Sequence, residues 1–541
     1  MLLMACGSAL RFWGLRFGLP HDFARPDEEK LINAALGIFQ GDPNPHFFLY
    51  PTLFIYLIAA AYFVLSGVER LAGATASQAD FVAQAMADPS VLHLTARALA
   101  ATAGAATIPV LYLAARELSS ARAALSSAAF LTVTFLHVRD SHFGVTDVPA
   151  TFLIVAAFWA AARCAARGAT VSRVAVAGAF CGFAASTKYN CALAALPAVA
   201  GILVDIDGGA SPRRTPASRR LALIGLLVLC LGAAFLIGTP FALLDRPAFI
   251  NEFTIQSRTA LGEHHGSILD AARAAVGERG WRHHLRFTLP HGLGLPLLGA
   301  ALTGACWLTI EQPKTAAIVL SFPIAFYIAM GVSLLVYARW MVPLVPFLCL
   351  TAGLLVDRAA DALHVFTRSR LAAAAALIAL PGLLGAPTLA RSIAFDRLVA
   401  RPDTRVLGAR WIESHFPAGA TLYQTGAVYG YLEPHPNDRY RVLTFDERRH
   451  RFLNASHPAT LPDLVIVLES PLVVFNHVPG DLAAILDANY RWAETFKGTI
   501  TARMSSAVYD QQDAFYVPFA NLDSVRRPGP DVHIFELRRQ P

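Results

Sequence analysis

Apolar runs of membrane-spanning length decide most of what this 541-residue chain can become. They fall near 92–115, 121–139, 148–166, 172–187, 189–205, 221–240, 295–310, 315–336, 340–356 and 371–390. A bilayer core about 30 Å thick takes about 20 apolar residues per helical crossing, so the sequence predicts a polytopic α-helical membrane protein. Composition agrees: 55% of residues are hydrophobic and 15% charged, against about one quarter charged in a soluble domain. The net charge of +7 sits in short Arg clusters between the runs. That is the pattern of a topology signal, and no polybasic tract points to nucleic acid. The seven cysteines precede residue 350, lie in or beside apolar runs and form no C-x-x-C pair. They read as small core residues.

A further run at 1–20 is interrupted by Arg11 and Arg16, leaving about ten clean residues, too few for a crossing. Either these arginines snorkel to the outer interface or part of the N-terminus is missing. Positive-inside counting places Arg116/Arg122, Arg163/Arg167/Arg173, Arg213/Arg214/Arg219/Arg220, Lys314 and Arg358/Arg368/Arg370 in the cytoplasm. These clusters alternate correctly when 1–20 and the ten runs from 92 onward cross, giving about 11 spans. The run 52–68 then reads as an interfacial or re-entrant helix within an outer loop, 21–91. The outer face also collects 140–147, the turn 187–190, the loop 241–294 and residues 337–340. From 391 to 541 the pattern turns soluble, with a helix at 401–415, strands near 420–424, 441–445, 463–468 and 533–537, and a helix at 481–488. The expected architecture is a membrane domain, 1–390, followed by an extracytoplasmic α/β domain.

Within the outer set, Arg25-Pro26-Asp27-Glu28-Glu29 carries the densest charge. Acids beside a bilayer are costly and mark functional sites by default. The bland alternative is a helix start, with Pro at the first position and acids at the positive end of the dipole. Asp147 at the start of a span has the same two readings, helix cap or second carboxylate. Lys188, near the outer end of a span, either snorkels or meets an anion. His264-His265 and His283-His284 lack the H-x-x-x-H or C-x-x-C spacing of a zinc site, so a divalent metal is a weak expectation.

Pro26-Asp27-Glu28, Tyr50-Pro51, Thr146-Asp147-Val148-Pro149, Ser186-Thr187-Lys188-Tyr189 and Arg339-Trp340-Met341-Val342-Pro343 stand in this order on one face. Together they resemble the polyprenyl-phosphate-sugar-dependent glycosyltransferases of family 39, the relatives of protein O-mannosyltransferases and of the lipid A aminoarabinose transferase. The resemblance runs through most of residues 10–356. It implies a C-type multi-pass fold in the bacterial cytoplasmic (inner) membrane and transfer of a sugar, with inversion, from a polyprenyl-phosphate carrier to a hydroxyl of a lipid, glycan or protein. It implies no required cofactor or metal. Asp27 matches the family's catalytic Asp, and such a transfer needs a carboxylate within reach of the acceptor proton. Glu28 projects about 100° away on a helix and is expected to orient a neighbour or the acceptor. Asp147 is expected to hold the acceptor or the sugar.

A phosphate leaving group needs cations. Lys188 matches the family's phosphate-contacting lysine, and Arg339 can grip two phosphate oxygens. Tyr189 and Arg258 are further phosphate-side candidates, and His142, His264 and His265 candidates for the acceptor or sugar pocket. A lipid-saccharide transporter or flippase would place charges at the bilayer midplane and repeat its halves, and neither is visible. An O-antigen-ligase-like enzyme shares the architecture. An oligosaccharyltransferase-like protein would carry W-W-D, which is absent. A non-catalytic scaffold leaves the acidic cluster and the Lys/Arg set unexplained.

Overall fold

The computed structural model describes residues 1–204, 216–261, 267–434, 439–453, 461–500 and 506–538. Arg213, Arg214, His264 and His265 lie outside them. Among the described residues, seven helices are long and apolar enough to cross a membrane: Leu53–Leu71, Ser90–Leu118, Asp147–Arg167, Ala217–Gly238, Pro313–Gly331, Ala338–Thr367 and the Arg370–His415 stretch. An eighth arises if Gly280–Leu293 and Leu295–Glu311, bent by 114°, count as one span. The count of 11 read from hydropathy is therefore not reproduced by helix length alone. Four of the expected runs form shorter apolar helices, Leu2–Phe12, Ala121–Val133, Val171–Ala185 and Tyr189–Leu203.

Polar groups inside the runs cause these breaks. At Thr134 the helix ends, and Phe135–Asp140 restarts after it. The last carbonyls of a helix have no partner of their own. Here Arg11 supplies one, donating to Leu131 O at 3.0 Å and Thr132 O at 3.1 Å. Arg11 is fully buried and does not snorkel. Between Ala185 and Tyr189 the chain unwinds over Ser186, Thr187 and Lys188, interrupting what hydropathy reads as two spans. Helices elsewhere approach closely through small residues. A Cβ at Gly182 would collide with the Leu231 carbonyl, and one at Gly304 with that of Thr351.

Among the described residues the C-terminal part contains seven strands: β1 (Thr421–Gln424), β2 (Arg441–Val442), β3 (Thr444–Asp446), β4 (Arg451–Leu453), β5 (Leu464–Glu469), β6 (Tyr490–Phe496) and β7 (Asp531–Leu537). Five form a mixed sheet in the order β2-β1-β5-β7-β6, with β1 parallel to its neighbours and β7 antiparallel to both of its own. Helix Thr404–His415 packs its Ala409 and Ile412 on one face of that sheet. Residues 515–525 behave differently. Phe515, Val517, Phe519, Leu522 and Val525 are buried in the same cluster as the membrane helices.

Candidate active site

Asp27 stands at the entry to helix Glu28–Phe39 with φ of +72°, a left-handed conformation uncommon for any residue but glycine. Its carboxylate makes no cap hydrogen bond to that helix. Instead Oδ2 accepts from Arg339 Nη2 at 2.7 Å and from the Tyr50 hydroxyl at 3.3 Å, and Oδ1 accepts from Lys30 Nζ at 2.9 Å. Asp27 is thus the residue before the helix, with its carboxylate turned to these side chains instead of to the helix N–H groups. Burial alone would raise its pKa, but Arg339 and Lys30 outweigh it and hold the carboxyl well below the usual range.

Arg339 opens the segment before helix Val345–Thr367 and is 5% exposed. Its guanidinium lies over the Tyr337 ring, 4.8 Å from the centroid, and its Nη1 is buried without a protein partner. Both residues line a cavity of about 690 Å³ that Lys188, Tyr50 and Tyr189 share. Its other walls are largely apolar, with Phe47, Phe253, Leu261, Met330 and Trp340. Lys188 sits at the unwound Ser186–Lys188 break and is bonded to Asp147 Oδ1. Asp147 is the first residue of helix Asp147–Arg167. The Tyr189 hydroxyl donates to Phe48 O at 2.8 Å, which fixes the cavity's rim.

Asp27, Tyr50, Lys188, Tyr189 and Arg339 thus meet around one cavity, with Asp147 behind Lys188. Glu28 does not join them. It is fully buried, grips Arg97 at 2.6–3.1 Å and accepts from Gly144 N at 2.7 Å, while Arg97 also donates to Leu15 O and Phe17 O. Glu28 thus ties the start of its helix to helix Ser90–Leu118 and to the turn at Gly144, away from the cavity. His142 is fully buried, with its ring nitrogens 2.9 Å from Val138 O and Trp13 O, and is absent from the cavity wall. Arg258 is exposed, although Ser257 and Thr259 beside it line the cavity. Lys30 was not anticipated, and its position three residues after Asp27 was the available signal. Among the described residues no three His, Cys, Asp or Glu side chains are grouped to hold a metal ion. His283 pairs with Glu278 at 3.4 Å, and His284 lies 3.0 Å from the Thr288 hydroxyl.

Residues 90–243 match the family model described as dolichyl-phosphate-mannose-protein mannosyltransferase. A search by sequence finds no match among curated proteins. Among solved structures, apo ArnT from Cupriavidus metallidurans superposes with a TM-score of 0.55 at 16% identity, covering 98% of this chain and 97% of that one. The same protein bound to undecaprenyl phosphate gives 0.54 at 16% identity, with 99% and 97% covered. The fold is that of the C-type glycosyltransferases. An oligosaccharyltransferase from Archaeoglobus fulgidus, tethered with an acceptor peptide, gives 0.50 at 14% identity over 81% of this chain. The chain spans 63% of that protein's length. The resemblance to polyprenyl-phosphate-sugar-dependent glycosyltransferases read from the motifs is borne out by the family match and by the C-type fold.

Proposed function

We propose that this protein moves a sugar from a polyprenyl-phosphate carrier to a hydroxyl acceptor on the outer face of the cytoplasmic membrane, inverting the anomeric carbon, with Asp27 as base. The observation that carries the reading is Arg339. One terminal nitrogen rests on Asp27, while Nη1 is buried without a partner beside the cavity that Lys188 also lines. A donor phosphate supplies the missing acceptor, and the apolar walls suit a prenyl chain. The similarly folded ArnT binds undecaprenyl phosphate.

In the reaction the acceptor oxygen attacks the anomeric carbon as its proton passes to Asp27, and the bond to the phosphate oxygen breaks with its electron pair staying on phosphate. The charge gained there is met by Arg339 and Lys188. Paired with Arg339 and Lys30, Asp27 is a weak base at rest. A donor phosphate competing for Arg339 relaxes that pull where the acceptor arrives.

Eleven crossings, counting the short helices, keep all these residues on the outer side. Helix Leu53–Leu71 then lies along that face. Its start bonds Gly238 O and Ser186 O, at the outer ends of two spans. Tyr62, nine residues on, donates to Leu92 O at the outer start of a third. A crossing helix would have carried Tyr62 about 14 Å deeper.

The test is release of polyprenyl phosphate from a synthetic short-chain polyprenyl-phosphate sugar by the protein in envelope membranes. Asp27→Asn keeps the shape and removes the base, so turnover should fall by about two to four orders of magnitude with membrane insertion unchanged. Near-normal transfer by Asp27→Asn sinks the assignment.

A further inference from the structure

We propose that residues 510–513, contributed by the C-terminal part of the chain, are a positioning strap that holds both members of the Asp27–Arg339 pair. The inference rests on the reading above, in which that pair is the centre of the site.

The strap reaches each partner through the residues just before it. On the arginine side, Asp510 Oδ2 accepts from Ala338 N at 2.8 Å, and Gln512 Oε1 accepts from Val336 N at 2.7 Å. Gln512 Nε2 donates to Leu334 O at 3.1 Å and to Ala272 O at 3.2 Å, so one amide satisfies two backbone groups of the bend that delivers Arg339 and one of helix Ser267–Val276. On the aspartate side, Asp513 Oδ1 accepts from Arg25 Nη1 at 2.6 Å, two residues ahead of Asp27. Asp510, Gln512, Asp513 and Arg25 are all at least 96% buried. Hydrogen bonds to charged groups in so dry a place are short and directional, and leaving their partners unmatched is costly.

The strap is also anchored from behind. Phe515 packs edge-on against Phe143 at 4.9 Å and Phe17 at 5.8 Å, and Phe519 stacks on Phe287 at 5.4 Å. Arg25 and Arg139 both lie over the Phe515 ring. A segment held this firmly transmits its position to the Leu334–Arg339 bend. The C-terminal part is therefore a component of the active centre, and Asp510, Gln512 and Asp513 are positioning residues that act through Arg339 and Asp27.

The experiment measures binding of undecaprenyl phosphate to the detergent-solubilised full chain, beside thermal unfolding of each variant. Asp510→Ala and Gln512→Ala should each weaken binding by about ten- to a hundredfold, the scale of one lost buried hydrogen bond to a charged or shared acceptor. Asp510→Asn keeps an oxygen for Ala338 N and should restore binding. Tyr516→Phe, whose hydroxyl bonds Asn476 away from the pair, should bind as the parent does. Parent-like binding by both folded alanine variants overturns the strap, as does Asp510→Asn behaving like Asp510→Ala. If Asp510→Ala fails to fold, Gln512→Ala and the Asp510→Asn rescue decide the matter. Failure of the parent chain to bind undecaprenyl phosphate at all overturns the donor reading itself, a result distinct from either.

Discussion

Asp27, Glu28 and Glu29 are consecutive acids whose surroundings give them three different behaviours. Asp27 faces the cavity with its charge held by Arg339 and Lys30, and its loss should cost turnover without costing the fold. Glu28 faces inward on Arg97, both fully buried. Breaking a buried pair by removing one partner costs about 3–5 kcal/mol. Glu28→Ala should therefore lower the unfolding temperature sharply, where Asp27→Asn leaves it near the parent value; equal melting of the two variants would contradict the division. Glu29 is pushed up to about 7 by burial and by the neighbouring Asp27 charge. The folded chain then keeps a proton, between about pH 4.5 and 7, that the unfolded chain has released, so stability falls as pH rises through that window. Glu433, raised to about 7 chiefly by burial, adds to the same slope. Unfolding temperatures at pH 5.5 and 8 should differ less in Glu29→Gln than in the parent chain. An unchanged difference would remove Glu29 as a source. The opposite facing of Glu28 follows from helix geometry and was legible. Its partner was legible too, as a lone Arg97 inside an apolar run, but a span count passes over it.

At the scale of elements, hydropathy found where apolar helices lie and missed where they stop. The break at Thr134 and the unwinding at Ser186–Lys188 are flanked by apolar residues on both sides, so a sliding count runs through them. The carbonyls freed at the Thr134 break are satisfied by Arg11 from over a hundred residues away, information no local window contains. Strand β6, Tyr-Arg-Trp-Ala-Glu-Thr-Phe, lacks clean alternation because it lies at the sheet edge with a bulge between Trp492 and Glu494. Helix Leu53–Leu71 is the sharpest test. It is apolar enough to cross, yet Thr52, Leu53 and Tyr62 bond the ends of three spans that the proposed topology places outside, and Tyr56 bonds Pro43 O in the preceding loop. With exposed Cys6 and Cys306 replaced by alanine, a cysteine at exposed Ala76 should react with a membrane-impermeant thiol reagent on intact spheroplasts. One at exposed Ser172, beside the Arg167/Arg173 cluster, should react only after lysis. Protection at position 76 would make Leu53–Leu71 a crossing and would overturn the outer placement proposed for the cavity.

At the scale of the molecule, the change in composition near residue 391 suggests two units, and the packing joins them. The sheet has its own core around Leu422, Ile466 and Ile534, but the chain leaves it after β6 and inserts Phe515, Val517 and Phe519 among the membrane helices before returning as β7. The sequence carries a trace of this: Asp510-Gln511-Gln512-Asp513 followed at once by Ala514-Phe515-Tyr516-Val517-Pro518-Phe519, a polar quartet and then an apolar run with no strand period. What it cannot carry is the identity of the surface that receives the run, because Phe17, Phe135, Phe143 and Phe287, which meet Phe515 and Phe519, all lie far back in the membrane part. The shared core has a thermodynamic consequence. Truncating a buried phenylalanine costs about 3–5 kcal/mol through lost transfer energy and the cavity left behind. If the two parts unfold as one, Phe515→Ala should lower a single transition, followed both by the helical circular-dichroism signal, which the membrane part dominates, and by protease cleavage in the C-terminal part. Trp492→Ala, at a residue 62% exposed on the sheet edge, should move neither by more than about 0.5 kcal/mol. Two separated transitions, with Phe515→Ala shifting only one, would mean that the inserted segment docks on a membrane domain already complete without it.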